Sequence, residues 1–147
     1  MADVLSPEQR RRNMSRIRGR DTEPERIVRS ELHRMGYRFR LHRRDLPGRP
    51  DIVLPRYGSV VFVHGCFWHR HRGCRYTTTP KTRAAFWQRK FEANVERDRQ
   101  NVGELRRAGW RVLCVWECQT RNRVALARRL RSFLERTKNS RAILGPE

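Results

Sequence analysis

Ser59-Val60-Val61-Phe62-Val63-His64-Gly65-Cys66-Phe67-Trp68-His69-Arg70-His71-Arg72-Gly73-Cys74 is the stretch around which the rest of the chain is organised. Its β-branched and aromatic start reads as a core strand. Beyond Gly65 the strand opens into a loop that holds cysteines, histidines and two adjacent aromatic rings. Upstream, Ile52-Val53-Leu54 reads as a second strand, joined to the first by the tight turn Pro55-Arg56-Tyr57-Gly58, so the two are expected to pair as an antiparallel hairpin. Downstream, Trp87, Phe91, Val95, Val102 and Leu105 mark a helix between Thr82 and Ala108 that Gly109 ends. Arg111 to Trp116 is apolar on both faces, which predicts a central, covered strand. A helix between two strands also predicts that part of the sheet is parallel.

The remaining chain supplies flanking helices. Thr22-Glu23-Pro24-Glu25 caps a helix with Val28, Leu32 and Met35 on one face and Gly36 as its stop. Tyr37, Phe39 and Leu41 alternate with basic residues as in a half-buried strand, and Val124, Leu126, Leu130, Phe133 and Leu134 mark a last amphipathic helix. Ser6-Pro7-Glu8-Gln9 opens a short arginine-rich helix through Met14, whose nearly apolar-free surface predicts a basic arm over residues 1–20. Residues 21–137 are then one domain, an α/β sandwich around a mixed sheet flanked by helices, and 138–147 a flexible tail.

Charge names the partner class. Lys plus Arg total 35, of which 32 are Arg, against 15 acidic residues, for a net charge of +20 over 147 residues. A polyanion is the expected partner. From Ile52 to Phe91 there is no Asp or Glu, while Arg56, Arg70, Arg72, Arg75, Lys81, Arg83, Arg89 and Lys90 all fall inside. That segment is expected to present a positive face. No stretch has the length of a signal core or a membrane span, so a soluble cytoplasmic protein is expected, with no membrane partner.

In a reducing compartment, clustered cysteines and histidines point to zinc more than to disulfides. Cys66, His71 and Cys74 are spaced for one loop to wrap one ion. Cys114 and Cys118 are candidates for the fourth ligand. Cys118 is the better one, because it lies where the last strand ends, whereas Cys114 is mid-strand among core residues. Three thiolates and one imidazole leave no open coordination position, so such a zinc is structural. It would hold Phe67 and Trp68 on a loop fixed at both ends.

Asp51 follows Pro50 at the start of one hairpin strand, beside the end of the other, which places it near Val63 and His64. One carboxylate, a backbone carbonyl and phosphate oxygens suit Mg²⁺. A nearby histidine, His64 or His69, can move a proton to or from the reacting oxygens. Glu25 is a candidate orienting partner for such a histidine or for metal-bound water, or simply a carboxylate at a helix N-terminus.

Gly48-Arg49-Pro50-Asp51, Val61-Phe62-Val63-His64-Gly65-Cys66-Phe67-Trp68-His69, Asn94-Val95-Glu96-Arg97-Asp98, Gly109-Trp110-Arg111-Val112-Leu113 and Trp116-Glu117-Cys118 closely resemble the very short patch mismatch-repair endonucleases, over about Asn13 to Phe133. The resemblance implies a restriction-endonuclease-like fold and an enzyme that nicks duplex DNA 5′ to the thymine of T:G mismatches left by deamination of 5-methylcytosine. It implies that Asp51 and the Val63 carbonyl bind catalytic Mg²⁺, that His69 is general acid/base with Glu25 linked to it, and that His64 assists at the phosphate. It implies a structural Zn²⁺ on Cys66, His71, Cys74 and Cys118. Phe67 and Trp68 would wedge into the duplex, with Met14 entering from the opposite groove. In this chain Val63 stands in place of a threonine, and one more residue separates His71 from Cys74. A monomer is expected, acting on mismatched DNA beside other mismatch-repair proteins. Two other readings use the same residues: a noncatalytic zinc-organised DNA-binding module, and a restriction-type nuclease that cuts matched duplex.

Overall fold

The computed structural model of the protein describes the backbone of residues 22–144 and the side chains of residues 22–136. The arginine-rich arm expected over residues 1–20, with Met14, lies outside the described residues. The elements run α1 (Glu23–Arg34), β1 (Arg40–Leu41), β2 (Ile52–Leu54), β3 (Ser59–His64), α2 (Ala84–Arg107), β4 (Arg111–Trp116) and α3 (Arg123–Leu144). Single 3-10 turns occupy Pro55–Tyr57 and Glu117–Arg121. The backbone of α3 continues helically into the stretch read as a tail.

The strands form one mixed sheet in the order β1-β2-β3-β4. The β2–β3 hairpin is antiparallel, with Ile52 opposite Val61 and Leu54 opposite Ser59. It turns at Gly58, whose φ of 58° is left-handed and inexpensive only for glycine. β3 and β4 are parallel, Val63 opposite Val115 and His64 opposite Trp116, with α2 as the crossover.

Two expectations change. β4 is an edge strand of the described sheet, and β2 and β3 hold the inner places. The apolar character of β4 on both faces has another cause: Val115 packs with α1 and α3 in one core cluster, while Val112 and Cys114 pack with Val53, Val60 and Phe62 of the sheet and Leu105 of α2 in a second. Helices cover both faces, so alternation is lost without a central position. Of the strand expected at Tyr37 to Leu41, only Arg40 and Leu41 pair with β2, and Leu41 is 41% exposed. Tyr37 and Phe39 are held by rings, Tyr37 edge-on to Tyr57 and Phe39 stacked on His33.

The inward stripe of α2 also departs from its apolar period. Phe91 and Leu105 are buried, but Val95 is 39% exposed, and the half-buried residues between them are Asn94, Asp98 and Asn101, followed by Val102 and Gly103. Spacings of three and four put Phe91, Asn94, Asp98, Asn101 and Leu105 on one face. The helix is apolar at its ends and polar in the middle because the middle faces a polar site.

Candidate active site and metal centres

The ligand loop closes on the end of β4 as a compact cluster. Sγ of Cys66, Cys74 and Cys118 and a ring nitrogen of His71 all lie within 4.8 Å of one another. His71 Nδ1 is 3.7 Å from Cys66 Sγ and 3.5 Å from Cys118 Sγ. Zn–S of about 2.3 Å and Zn–N of about 2.0 Å put tetrahedral ligands about 3.6 Å apart, so the donor set and its spacing fit zinc. Burial, with the crowding of Cys118 and Cys74, pushes the Cys66 thiol up to about 12 when no cation is present. A metal bound at this cluster would have to displace that proton and stabilise the thiolate. The imidazole of His71 stacks on Trp116 at 4.3 Å, and Thr77 donates its hydroxyl to the carbonyls of His71 and Cys66, which fixes the loop around the cluster. Cys114 packs in the α2-side core, away from this set.

The end of β3 brings together a second group of titratable side chains. The Val63 N–H donates to Asp51 Oδ2 at 2.7 Å, and the next residue, His64, stacks its ring on that of His69 at 3.9 Å with planes 5° apart. Two consecutive residues thereby touch the carboxylate and the histidine pair. His64 is buried, and desolvation together with His69 lowers it to about 4, so it is neutral near neutral pH. His69 Nδ1 lies 2.6 Å from Asp98 Oδ2. A carboxylate here accepts from Nδ1–H, which leaves the Nε2 lone pair available to a proton.

The carboxylate bonded to His69 is Asp98, while Glu25, expected beside a histidine or metal-bound water, lies in the Asp51 group. Thr22 caps α1 by accepting from the Glu25 N–H, and this turns the Glu25 side chain inward, where its Oε2 meets Arg29 Nη2 at 2.9 Å and His42 Nε2 at 3.2 Å. Glu25, His42 and Asp51 have ligand atoms within 4.8 Å of one another. Desolvation, then the nearby Glu25, raises the Asp51 carboxyl to about 8 against the pull of the Val63 N–H. Two buried carboxylates this close favour a shared cation, so the residues fit a divalent ion. The contact that Val63 makes with Asp51 is through its N–H.

Asp98 and His42 are the residues that sequence reading left without a role. Asp98 stands 29 positions from His69, and its signal in the sequence is its place in the Asn94–Asp98 stretch that carries the family resemblance, where it has no assigned role. His42 lies in an irregular stretch and carried no signal beyond its type.

Phe67 and Trp68 are half-buried, packed edge-on to each other at 5.1 Å and against α2. Phe67 meets Phe91 at 5.2 Å and Trp87 at 6.0 Å, and Trp68 meets Trp87 at 5.9 Å. Lys90 lies over Trp68 and Trp87, so the exposed rim of this aromatic group is cationic. Arg70, read as part of the positive face, is committed to the loop: its guanidinium sits 4.0 Å over Phe91 and donates to the carbonyls of Phe67 and Thr78.

The family model described as DNA mismatch endonuclease Vsr matches residues 2–75, which include β1, β2, β3 and most of the ligand loop. The DNA mismatch endonuclease Vsr of Escherichia coli (strain K12) is 48% identical over 126 residues, 86% of this chain and 80% of that protein. The chain belongs to the Vsr family of DNA mismatch endonucleases. Type II nicking enzyme V.XorIIP of Xanthomonas oryzae pv. oryzae is 53% identical over 135 residues, 92% of this chain and 98% of its own length. Type II nicking enzyme V.NmeAIP of Neisseria meningitidis serogroup A is 38% identical over 140 residues, 95% and 99% of the two chains. As a Vsr-family member the chain is a DNA endonuclease, a hydrolase whose partner is DNA. Among the described residues no helix is long and apolar enough to cross a membrane.

The Asp98–His69 contact gives a first prediction for this endonuclease. Asp98→Asn keeps the shape but offers an amide N–H that favours the wrong His69 tautomer, so single-turnover cleavage is expected to fall about 10²-fold with DNA affinity nearly unchanged. A variant that cleaves at the wild-type rate would remove Asp98 from the reaction.

Proposed function

We propose that this Vsr-family endonuclease nicks one strand of duplex DNA 5′ to the thymine of a T:G mismatch by Mg²⁺-dependent phosphodiester hydrolysis. The observation that carries the reading is the junction at the end of β3, where Val63 holds Asp51 and His64 stacks on His69. Asp51, with Glu25 and the Val63 carbonyl, would hold Mg²⁺, which supplies positive charge to the phosphate and to the water that attacks it. In the reaction a P–O bond forms to water and a P–O bond to the leaving oxygen breaks. His69, oriented by Asp98, moves the proton that this exchange requires, and neutral His64 hydrogen-bonds the phosphate. Structural Zn²⁺ on Cys66, His71, Cys74 and Cys118 would hold the loop between β3 and α2.

Phe67 and Trp68 are the wedge in this reading, backed by Trp87 and Phe91. A T:G wobble unstacks more readily than a matched pair, so insertion costs less there, and selectivity comes in part from deformability. Met14 belongs to the same proposal as a wedge from the opposite groove, and other mismatch-repair proteins as further partners of a monomer.

The test is a set of duplexes that differ only in the T:G pair, incubated with Mg²⁺. One nick, on the thymine strand and only in mismatched duplex, is expected. Cleavage of both strands of matched duplex would favour the restriction-type reading, and absence of any nick at low salt and excess protein would reject the reading. With Phe67→Ala and Trp68→Ala together, affinity for mismatched DNA is expected to fall about 10- to 100-fold toward that for matched DNA, at about 1–3 kcal/mol per stacked base. Unchanged discrimination would refute the wedge.

A further inference from the structure

His42 is a residue that the reaction leaves unassigned, held by both its backbone and its side chain. Its backbone is left-handed, φ 48°, which is rare for a residue with a β-carbon, and its N–H donates to the Asp51 carbonyl at 3.3 Å. The main chain thus ties His42 to Asp51, while the side chain reaches Glu25. Its Nε2 has two neighbours with opposite demands. Glu25 Oε2 at 3.2 Å can only accept, which calls for a proton on Nε2; Arg29 Nη2 at 3.5 Å can only donate, which calls for a lone pair there. A cation shared by Glu25 and His42 removes the conflict, because both then direct lone pairs at it. Arg29 stays on Glu25 Oε2 at 2.9 Å, and Asp51 completes a set whose ligand atoms lie within 4.8 Å.

We propose that His42 Nε2 is a direct ligand of the divalent cation at the Asp51 site, so that this site takes Mn²⁺ and related transition ions more tightly than Mg²⁺. The proposal rests on Asp51 as a cation ligand. Mg²⁺ prefers an all-oxygen shell, whereas an imidazole nitrogen beside carboxylates suits Mn²⁺ and the ions after it in the first transition row. The donor set of one nitrogen and two carboxylates is therefore a statement about metal choice.

Mn²⁺ reports its own ligands. The zinc-loaded protein is titrated with Mn²⁺ while the free-ion electron paramagnetic resonance signal is followed, and pulsed spectra of the bound ion are searched for histidine-nitrogen modulation. Wild type is expected to bind one Mn²⁺ with nitrogen modulation. In His42→Gln the modulation is expected to vanish and the affinity to drop about 10- to 100-fold. Bound Mn²⁺ without modulation in wild type, or modulation that survives in folded His42→Gln, overturns His42 as a ligand while leaving Asp51 in place. Should His42→Gln fail to fold, His64→Gln with His69→Gln answers the same question: retained modulation supports His42, and its loss assigns the nitrogen elsewhere and overturns the proposal. Absence of any Mn²⁺ binding that Asp51→Asn would reduce overturns the cation site itself.

Discussion

Asp51→Asn is expected to abolish nicking, by about 10³-fold or more, while mismatched DNA still binds. The substitution removes the charge that a cation at the end of β3 requires and keeps the side chain's size, with an oxygen still able to accept from the Val63 N–H. Loss of about 4 kcal/mol of transition-state stabilisation is a factor of about 10³ in rate. DNA affinity depends on the basic surface and changes little. Cleavage by Asp51→Asn at more than about a tenth of the wild-type rate would reject the assignment. The raised Asp51 carboxyl adds a pH signature. Its ordinary value is 3.8 and in the folded, cation-free chain it is about 8, so the folded state binds the extra proton and stability declines as pH rises through that window. Cation binding must displace this proton, and its affinity is expected to climb with pH and level off above about 8. Affinity that is flat from about pH 6 to 9 contradicts the proton competition.

Removal of zinc is expected to have the largest effect on the fold. The cluster joins the β3–α2 loop to the 3-10 turn after β4, and few apolar contacts hold Arg72 to Thr79 otherwise, since most of that stretch is exposed or half-buried. Metal analysis is expected to find one zinc per chain. Cys118→Ser is expected to lose it and to lower the melting temperature by on the order of 10 °C, about 3 kcal/mol or more for a domain of this size. Cys114→Ser is the control: that thiol is a partly buried member of the α2-side core, so zinc is retained and only a small destabilisation follows. Zinc lost from Cys114→Ser and kept by Cys118→Ser would reverse the assignment.

The family resemblance and the local readings agree because the informative residues are close together or tied by a simple register. The hairpin turn at Gly58 sets β2 against β3, and the proximity of Asp51 to Val63 follows from counting residues. The preference for Cys118 over Cys114 follows from where β4 ends. The four-residue thiol and imidazole cluster was legible for the same reason: three members lie within nine residues and the fourth at a strand terminus.

Long-range pairings decided the rest. Asp98 is the carboxylate beside His69 because α2 crosses the loop at its polar middle, an outcome of helix placement that no spacing encodes. Val95 matched the apolar period and still faces outward, for the rotation of α2 is set by Phe91 and Leu105 at its buried ends. β4 looked central because helices cover both its faces, and only strand order puts it at an edge. The sequence by itself therefore determined the strand–loop–strand frame and the chemistry of the ligand loop, through contacts a few residues long. The partners of Glu25, His42 and His69 were decided by tertiary packing, where side chains 17 to 29 positions apart meet in pairs.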